Sequence, residues 1–236
     1  MKKILISPPF SNIVPSHLNL NLILGTYTLK RRPGRIRVIT SLRKIKNGWL
    51  NKVGLRNPGI TRFKKKNSYV SISLEHSKEW DYFKKILKNK KKKHNIKGLE
   101  FNVSCPNYKV SNINYNIIKE AKKIFKVVII KLPHDITKKK IKYFIELDAD
   151  YLHISNTKST QDGAMSGKCL IKKNIENIRF IKNISKQKVI AGGGIYSFKD
   201  FKKYYDAGAD VFSLSTVFFN PIRSYFLIKK MSQYLR

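Results

Sequence analysis

A thiol, an amine, several carboxamides, a glycine run and two hydroxyls recur at one kind of place in this sequence, at or just after the end of a short apolar run. The run Leu99–Val103 carries Asn102 and leads into Ser104-Cys105-Pro106-Asn107. Val127–Ile130 leads into Lys131, and Leu152–Ser155 into Asn156 and Thr157. Val189–Ala191 leads into Gly192-Gly193-Gly194, and Val211–Leu214 into Ser215-Thr216. Each type suggests a chemistry. A thiol in a loop is a base or nucleophile once a neighbouring cation lowers its pKa. A lysine ending a buried strand needs an anion or polar ligand to offset its desolvation. A carboxamide offers a donor and an acceptor together. A glycine turn before a helix lets backbone N–H groups close on an anion, and a second such turn one unit later fits a phosphate site. There is no carboxylate pair and no His/Cys cluster at metal-ligand spacing, so glycosidase and zinc chemistry are excluded and no metal site is expected.

These residues need elements to hold them. Strand-like runs at Tyr69–Leu74, Leu99–Ser104, Val127–Leu132, Tyr151–Ser155, Val189–Ala191 and Val211–Leu214 alternate with helical spacing at Asn116–Phe125, Lys138–Leu147, Ile171–Ile184 and Lys199–Ala207. That rhythm predicts βαβ units and a parallel sheet covered on both faces. At least six units in 236 residues predict an α/β (β/α)8 TIM barrel with parallel strands and a small irregular N-terminal hairpin region. The rival open sheet lacks its G-x-G-x-x-G fingerprint. Residues 1–236 read as a single domain, with no linker or longer repeat. The densest charge run, Lys88–His94, reads as an exposed helix end or loop. In such a barrel the reactive groups gather at the C-terminal ends of the strands, where every residue above is predicted to lie.

Composition narrows the setting. The formal charge of +36 suggests a polyanion partner, yet lysines (40) far outnumber arginines (10), and alanine occurs only 6 times against 30 isoleucines and 19 asparagines. Polyanion readers favour the arginine fork. Drift toward AT-rich codons, leaving a solvated lysine coat, is the preferred explanation, and nucleic acid is not expected as a partner. Two cysteines, Cys105 and Cys169, exclude a disulfide scaffold and fit a cytoplasmic location. No apolar run is long enough to span a bilayer, and Ile4–Ile6 before Pro8-Pro9 is too short for a signal peptide.

The loop Asn102-Val103-Ser104-Cys105-Pro106-Asn107 resembles the signature loop of the dihydroorotate dehydrogenases. Leu50-Asn51-Lys52-Val53-Gly54-Leu55-Arg56-Asn57-Pro58-Gly59 is similar to that family's LN-x-x-GL-x-NPG loop, and Val128-Ile129-Ile130-Lys131-Leu132 to its lysine-bearing strand. Ser155-Asn156-Thr157, Ala164-Met165-Ser166-Gly167, Gly192–Ile195, Asp200, Ala207-Gly208-Ala209 and Asn220-Pro221 follow in the family's order. The resemblance implies a flavoenzyme that binds FMN and oxidises dihydroorotate to orotate in pyrimidine (UMP) biosynthesis. It implies Cys105 as general base, Asn51, Asn102, Asn107, Asn156 and Thr157 at the substrate, and Lys131, Gly167, Gly193, Gly194, Ser215 and Thr216 at the flavin. The loop form is closest to class 1B, which pairs with an iron–sulfur FAD electron-transfer subunit; no CxxC ligands occur here, so such a cluster would sit on the partner. A homodimer or heterotetramer is expected, with no membrane partner, since no membrane-binding helix is apparent.

The chain also departs from the pattern. Ser7-Pro8-Pro9-Phe10-Ser11-Asn12 stands where the family has a glycine-containing turn, Gly25 falls where it has a lysine, and Ser71 where it has an asparagine. Lys30 is weighed as a substitute for that lysine. A tRNA dihydrouridine synthase-like flavoenzyme would use the charge, but no RNA-binding helical domain follows the barrel. A degenerate, non-catalytic barrel would explain the lost lysine and glycines.

Overall fold

The computed structural model describes residues 3–14, 21–33, 41–46, 48–103, 114–154 and 156–236. Twelve strands fall in two sheets among these residues. β1 (Ile4–Ile6), β2 (Ile23–Tyr27), β5 (Tyr69–Ile72), β6 (Gly98–Asn102), β7 (Val128–Leu132), β8 (Tyr151–Ile154), β11 (Val189–Gly192) and β12 (Val211–Leu214) form one parallel sheet in the order β1-β12-β11-β8-β7-β6-β5-β2. A parallel bridge between Ile6 and Leu22 joins the two edge strands, so the sheet closes into an eight-stranded barrel. The predicted strands from Tyr69 onward fall where the apolar runs stand. β2 was not anticipated as a barrel strand, because Gly25 and Thr26 break its apolar run.

Six α-helices are described: α1 (Glu79–His94), α2 (Tyr115–Ile124), α3 (Lys138–Glu146), α4 (Ile171–Ile184), α5 (Phe198–Asp206) and α6 (Pro221–Tyr234). Four start on a side chain that accepts a backbone N–H, namely Asn114, Thr137, Ser197 and Asn220. The charge run Lys88–His94 is the last two turns of α1, where cations suit the helix dipole, although His94 itself is buried.

The barrel interior changes character along its axis. Leu5, Ile23, Tyr69, Ile129, Ile190 and Val211 form one buried apolar cluster. Two residues further along the same strands, and so on the same face, stand Ser7, Gly25, Ser71, Lys131, Gly192 and Ser213, joined by Glu100 and His153 from β6 and β8. Hydrocarbon closes the N-terminal end, and polar groups take over toward the C-terminal ends. The alternate residues, such as Leu99, Phe101, Ile130 and Leu152, pack outward under the helices.

A second, antiparallel sheet of order β3-β4-β10-β9 is built from β3 (Arg43–Ile45), β4 (Gly48–Asn51), β9 (Lys158–Thr160) and β10 (Gly163–Gly167). It follows the C-terminal ends of β2 and β8. Trp49 stacks on Phe219 at 4.2 Å between ring centroids, and Phe10 meets Phe219 edge-on at 4.8 Å. This aromatic cluster ties the small sheet to the segments after β1 and β12.

Candidate functional site

One side of the barrel mouth is built from side chains. Asn102 on β6, Lys131 on β7 and His153 on β8 are successive register partners. The Asn102 amide donates to Thr26 Oγ1 at 2.9 Å, and that hydroxyl lies 3.1 Å from Ser71 Oγ. One layer deeper, His153 Nδ1 lies 2.6 Å from Glu100 Oε2, with both side chains buried. Burial opposes the Glu100 charge, yet the His153 ring and the Lys131 ammonium hold its pKa below the usual carboxylate value. Burial lowers the His153 pKa against the pull of Glu100, and Lys131 lowers it further. The pair is therefore a carboxylate accepting from a neutral imidazole, whose Nε2 has no hydrogen-bond partner among the described residues. Lys131 is half-buried and its ammonium makes no hydrogen bond or ion pair with any described residue, so its charge is available at the mouth.

The other side is built from backbone. Gly193 and Gly194 follow β11 with φ of +81° and +79°, a conformation that favours glycine. A Cβ on Gly194 would lie 2.5 Å from the Gly167 carbonyl oxygen, so the ends of β10 and β11 meet with no room for a side chain. The N–H groups of Gly193, Gly194, Ser215 and Thr216 donate to no backbone acceptor among the described residues. The Ser215 hydroxyl is spent on the Pro8 carbonyl at 2.8 Å, and Tyr196 donates its hydroxyl to Thr216 Oγ1 at 2.6 Å. Two turns with unspent donors, at the ends of the last two barrel strands, form an anion cradle. The residues present therefore fit a phosphorylated cofactor, with the cradle at one end and the Lys131 cation at the other.

Cys105 and Asn107 lie outside the described residues. Val103, which follows β6, donates its N–H to the Lys131 carbonyl at 3.1 Å. Asn51 ends β4, and its amide donates to the Ala164 carbonyl at 3.1 Å. Asn156 Oδ1 accepts from Thr157 N–H at 2.9 Å. Gly25 has no room for a side chain. A Cβ there would lie 2.5 Å from the Ser71 carbonyl oxygen. The Asn12 side chain grips Gly25 from both directions, donating to its carbonyl at 2.7 Å and accepting from its N–H at 2.9 Å. Lys30 is exposed. The Glu100–His153 pair escaped the sequence reading, although a charged and a titratable residue inside otherwise apolar strands mark it.

A family model described as "Dihydroorotate dehydrogenase" matches residues 16–235. The chain is 30% identical over 224 residues to "Dihydroorotate dehydrogenase B (NAD(+)), catalytic subunit" of Thermoanaerobacter pseudethanolicus, with 80% of this chain and 73% of that protein covered. It is 26% identical over 211 residues to the protein of the same description from Malacoplasma penetrans, with 74% and 68% covered. Among solved structures, the ligand-free type DHODH from Eimeria tenella superposes with a TM-score of 0.77 at 17% identity, over 95% of this chain and 82% of that one. At that identity the likeness speaks to the barrel fold. No helix among the described residues is long and apolar enough to cross a membrane.

Proposed function

The chain belongs to the dihydroorotate dehydrogenase family, and on that footing we propose that it oxidises dihydroorotate to orotate with FMN as its cofactor. The observation that carries this reading is the row Asn102–Lys131 at the ends of β6 and β7, with the anion cradle across the mouth. FMN, when bound, supplies the two-electron acceptor for the substrate's hydride. Gly167, Gly193, Gly194, Ser215 and Thr216 hold the phosphate end, and Lys131 places its positive charge beside the ring, a fixed electrostatic role. Asn51, Asn102, Asn107 and Asn156, with Thr157, orient the substrate ring through paired donors and acceptors. Cys105 removes the proton from the carbon next to the hydride donor, so the substrate loses a hydride and a proton together. The relatives named as catalytic subunits support a partner electron-transfer subunit that carries the electrons onward.

The test is anaerobic mixing of the FMN-loaded protein with dihydroorotate, followed by flavin absorbance. The wild type is expected to bleach. Cys105→Ala is expected to slow bleaching by about 10²–10⁴-fold, the usual worth of a general base. Bleaching at the wild-type rate in the variant would remove the thiol from the chemistry.

A further inference from the structure

Behind the glycine turn lies a buried polar network to which neither the family resemblance nor the reaction gives a role. Asn174 on α4 is fully buried on a face it shares with Ile171, Asn177, Ile178 and Ile181. Its amide nitrogen donates to the Gly192 carbonyl at 3.0 Å and lies 3.3 Å from Tyr204 Oη. Tyr204 on α5, also fully buried, donates its hydroxyl to the Gly193 carbonyl at 2.7 Å. Burial raises the Tyr204 pKa well above the ordinary phenol value, so the hydroxyl stays a donor. His134, in the segment after β7, lies 3.2 Å from Asn174 Oδ1 through its Nδ1. Because Oδ1 only accepts, His134 carries its proton on Nδ1, and every polar atom of the Asn174 side chain is engaged.

The consequence follows from peptide geometry. A trans peptide is planar, with its C=O and N–H pointing in opposite directions. Asn174 and Tyr204 pull the carbonyls of Gly192 and Gly193 toward the helices. The N–H groups on the far side of those two peptides belong to Gly193 and Gly194, the same donors that no described backbone acceptor satisfies. The positive φ at both glycines leaves the turn no side chain of its own to hold this orientation. We infer that Asn174 and Tyr204, steadied by His134, are positioning residues that aim the Gly193 and Gly194 N–H groups outward to receive the phosphate group of the cofactor. The inference rests on the flavin reading above.

Its test separates phosphate from ring. Full-length apoprotein is titrated with FMN and with riboflavin, which has the same isoalloxazine and no phosphate. The wild type is expected to prefer FMN by about tenfold or more, since a phosphate accepts charge-assisted hydrogen bonds. Tyr204→Phe, which keeps the ring and removes only the donor, is expected to cut the FMN-to-riboflavin affinity ratio by about 3- to 10-fold, with riboflavin affinity unchanged. Asn174→Ala is expected to cut it further, and Tyr204→Phe decides the matter if that variant does not fold. An unchanged ratio in Tyr204→Phe, or equal loss of both ligands, overturns the inference and leaves the flavin reading standing. A wild type that binds both equally overturns it too. A wild type that binds neither overturns the flavin reading along with it.

Discussion

The two sides of the barrel mouth do their work with different parts of the chain. On the β5–β8 side the groups are side chains: Ser71, Glu100, Asn102, Lys131 and His153. On the β11–β12 side they are peptide N–H groups, freed by glycines and backed by Asn174 and Tyr204 from the helices behind. The first kind of site is fragile to the loss of a functional group. The second is fragile to the gain of an atom. A side-chain site announces itself by residue type, whereas a backbone site depends on conformation and on residues that never reach the ligand.

The largest expected effect breaks the side-chain side from within. Glu100→Ala removes the acceptor of a fully buried imidazole N–H and leaves a cavity next to it. It is expected to destabilise the fold by about 3 kcal/mol, measured by chemical denaturation. Glu100→Gln keeps an acceptor oxygen for His153 and is expected to lose less. Equal losses in the two variants would show that the hydrogen bond contributes nothing beyond volume.

The same division explains what the sequence made legible. The barrel strands from β5 onward stood out because parallel strands buried on both faces are continuous apolar runs. β2 did not, because Gly25, held by Asn12, interrupts its apolar run. Of the small antiparallel sheet, the β3–β4 hairpin fits the hairpin expected near the N-terminus, but its pairing with β10 was not legible, since it sets Trp49 against Ser166, far apart in the chain and with no local turn between them. Asn102 and Lys131 were legible as polar residues at the ends of apolar runs, and the structure puts them at the ends of β6 and β7. Asn174 and Tyr204 were missed because a lone polar residue on a helix face reads as ordinary, and only the positions of the Gly192 and Gly193 carbonyls reveal what it grips.

The next effect in size belongs to the backbone side. Gly194→Ala puts a Cβ 2.5 Å from the Gly167 carbonyl oxygen at a φ of +79°. About 2 kcal/mol of stability is expected to go, on the scale of one strained residue, along with most FMN affinity. Retained FMN binding at wild-type affinity would mean that the cradle tolerates an added methyl and is not a close-fitting one. Lys131→Ala takes away one charge and leaves the cradle intact. Flavin binding or its reduction by dihydroorotate is expected to weaken about tenfold, and a stopped-flow rate and a binding titration matching the wild type would contradict the electrostatic role.

The smallest effect uses one histidine from each side. Burial lowers the pKa of His153, which faces Glu100 and Lys131, and that of His134, which faces Asn174, Lys158, Asp135 and Lys173. In the unfolded chain both titrate near the ordinary value of about 6.5. Below that pH the unfolded state binds protons that the native rings refuse, so stability is intact above about 6.5 and falls with acidification. Glu100 adds a second loss in the same direction, beginning below its ordinary value of 4.5, where the unfolded carboxyl takes up a proton before the native one does. Thermal melts from pH 8 down to about 4 are therefore expected to fall in two stages. His153→Gln and His134→Gln should each flatten part of the upper stage, and the larger share is expected from His153, which is the more deeply buried ring. A flat profile between pH 8 and about 5 in the wild type would mean that neither ring is held neutral, and the carboxylate–imidazole description of the Glu100–His153 pair would fall with it.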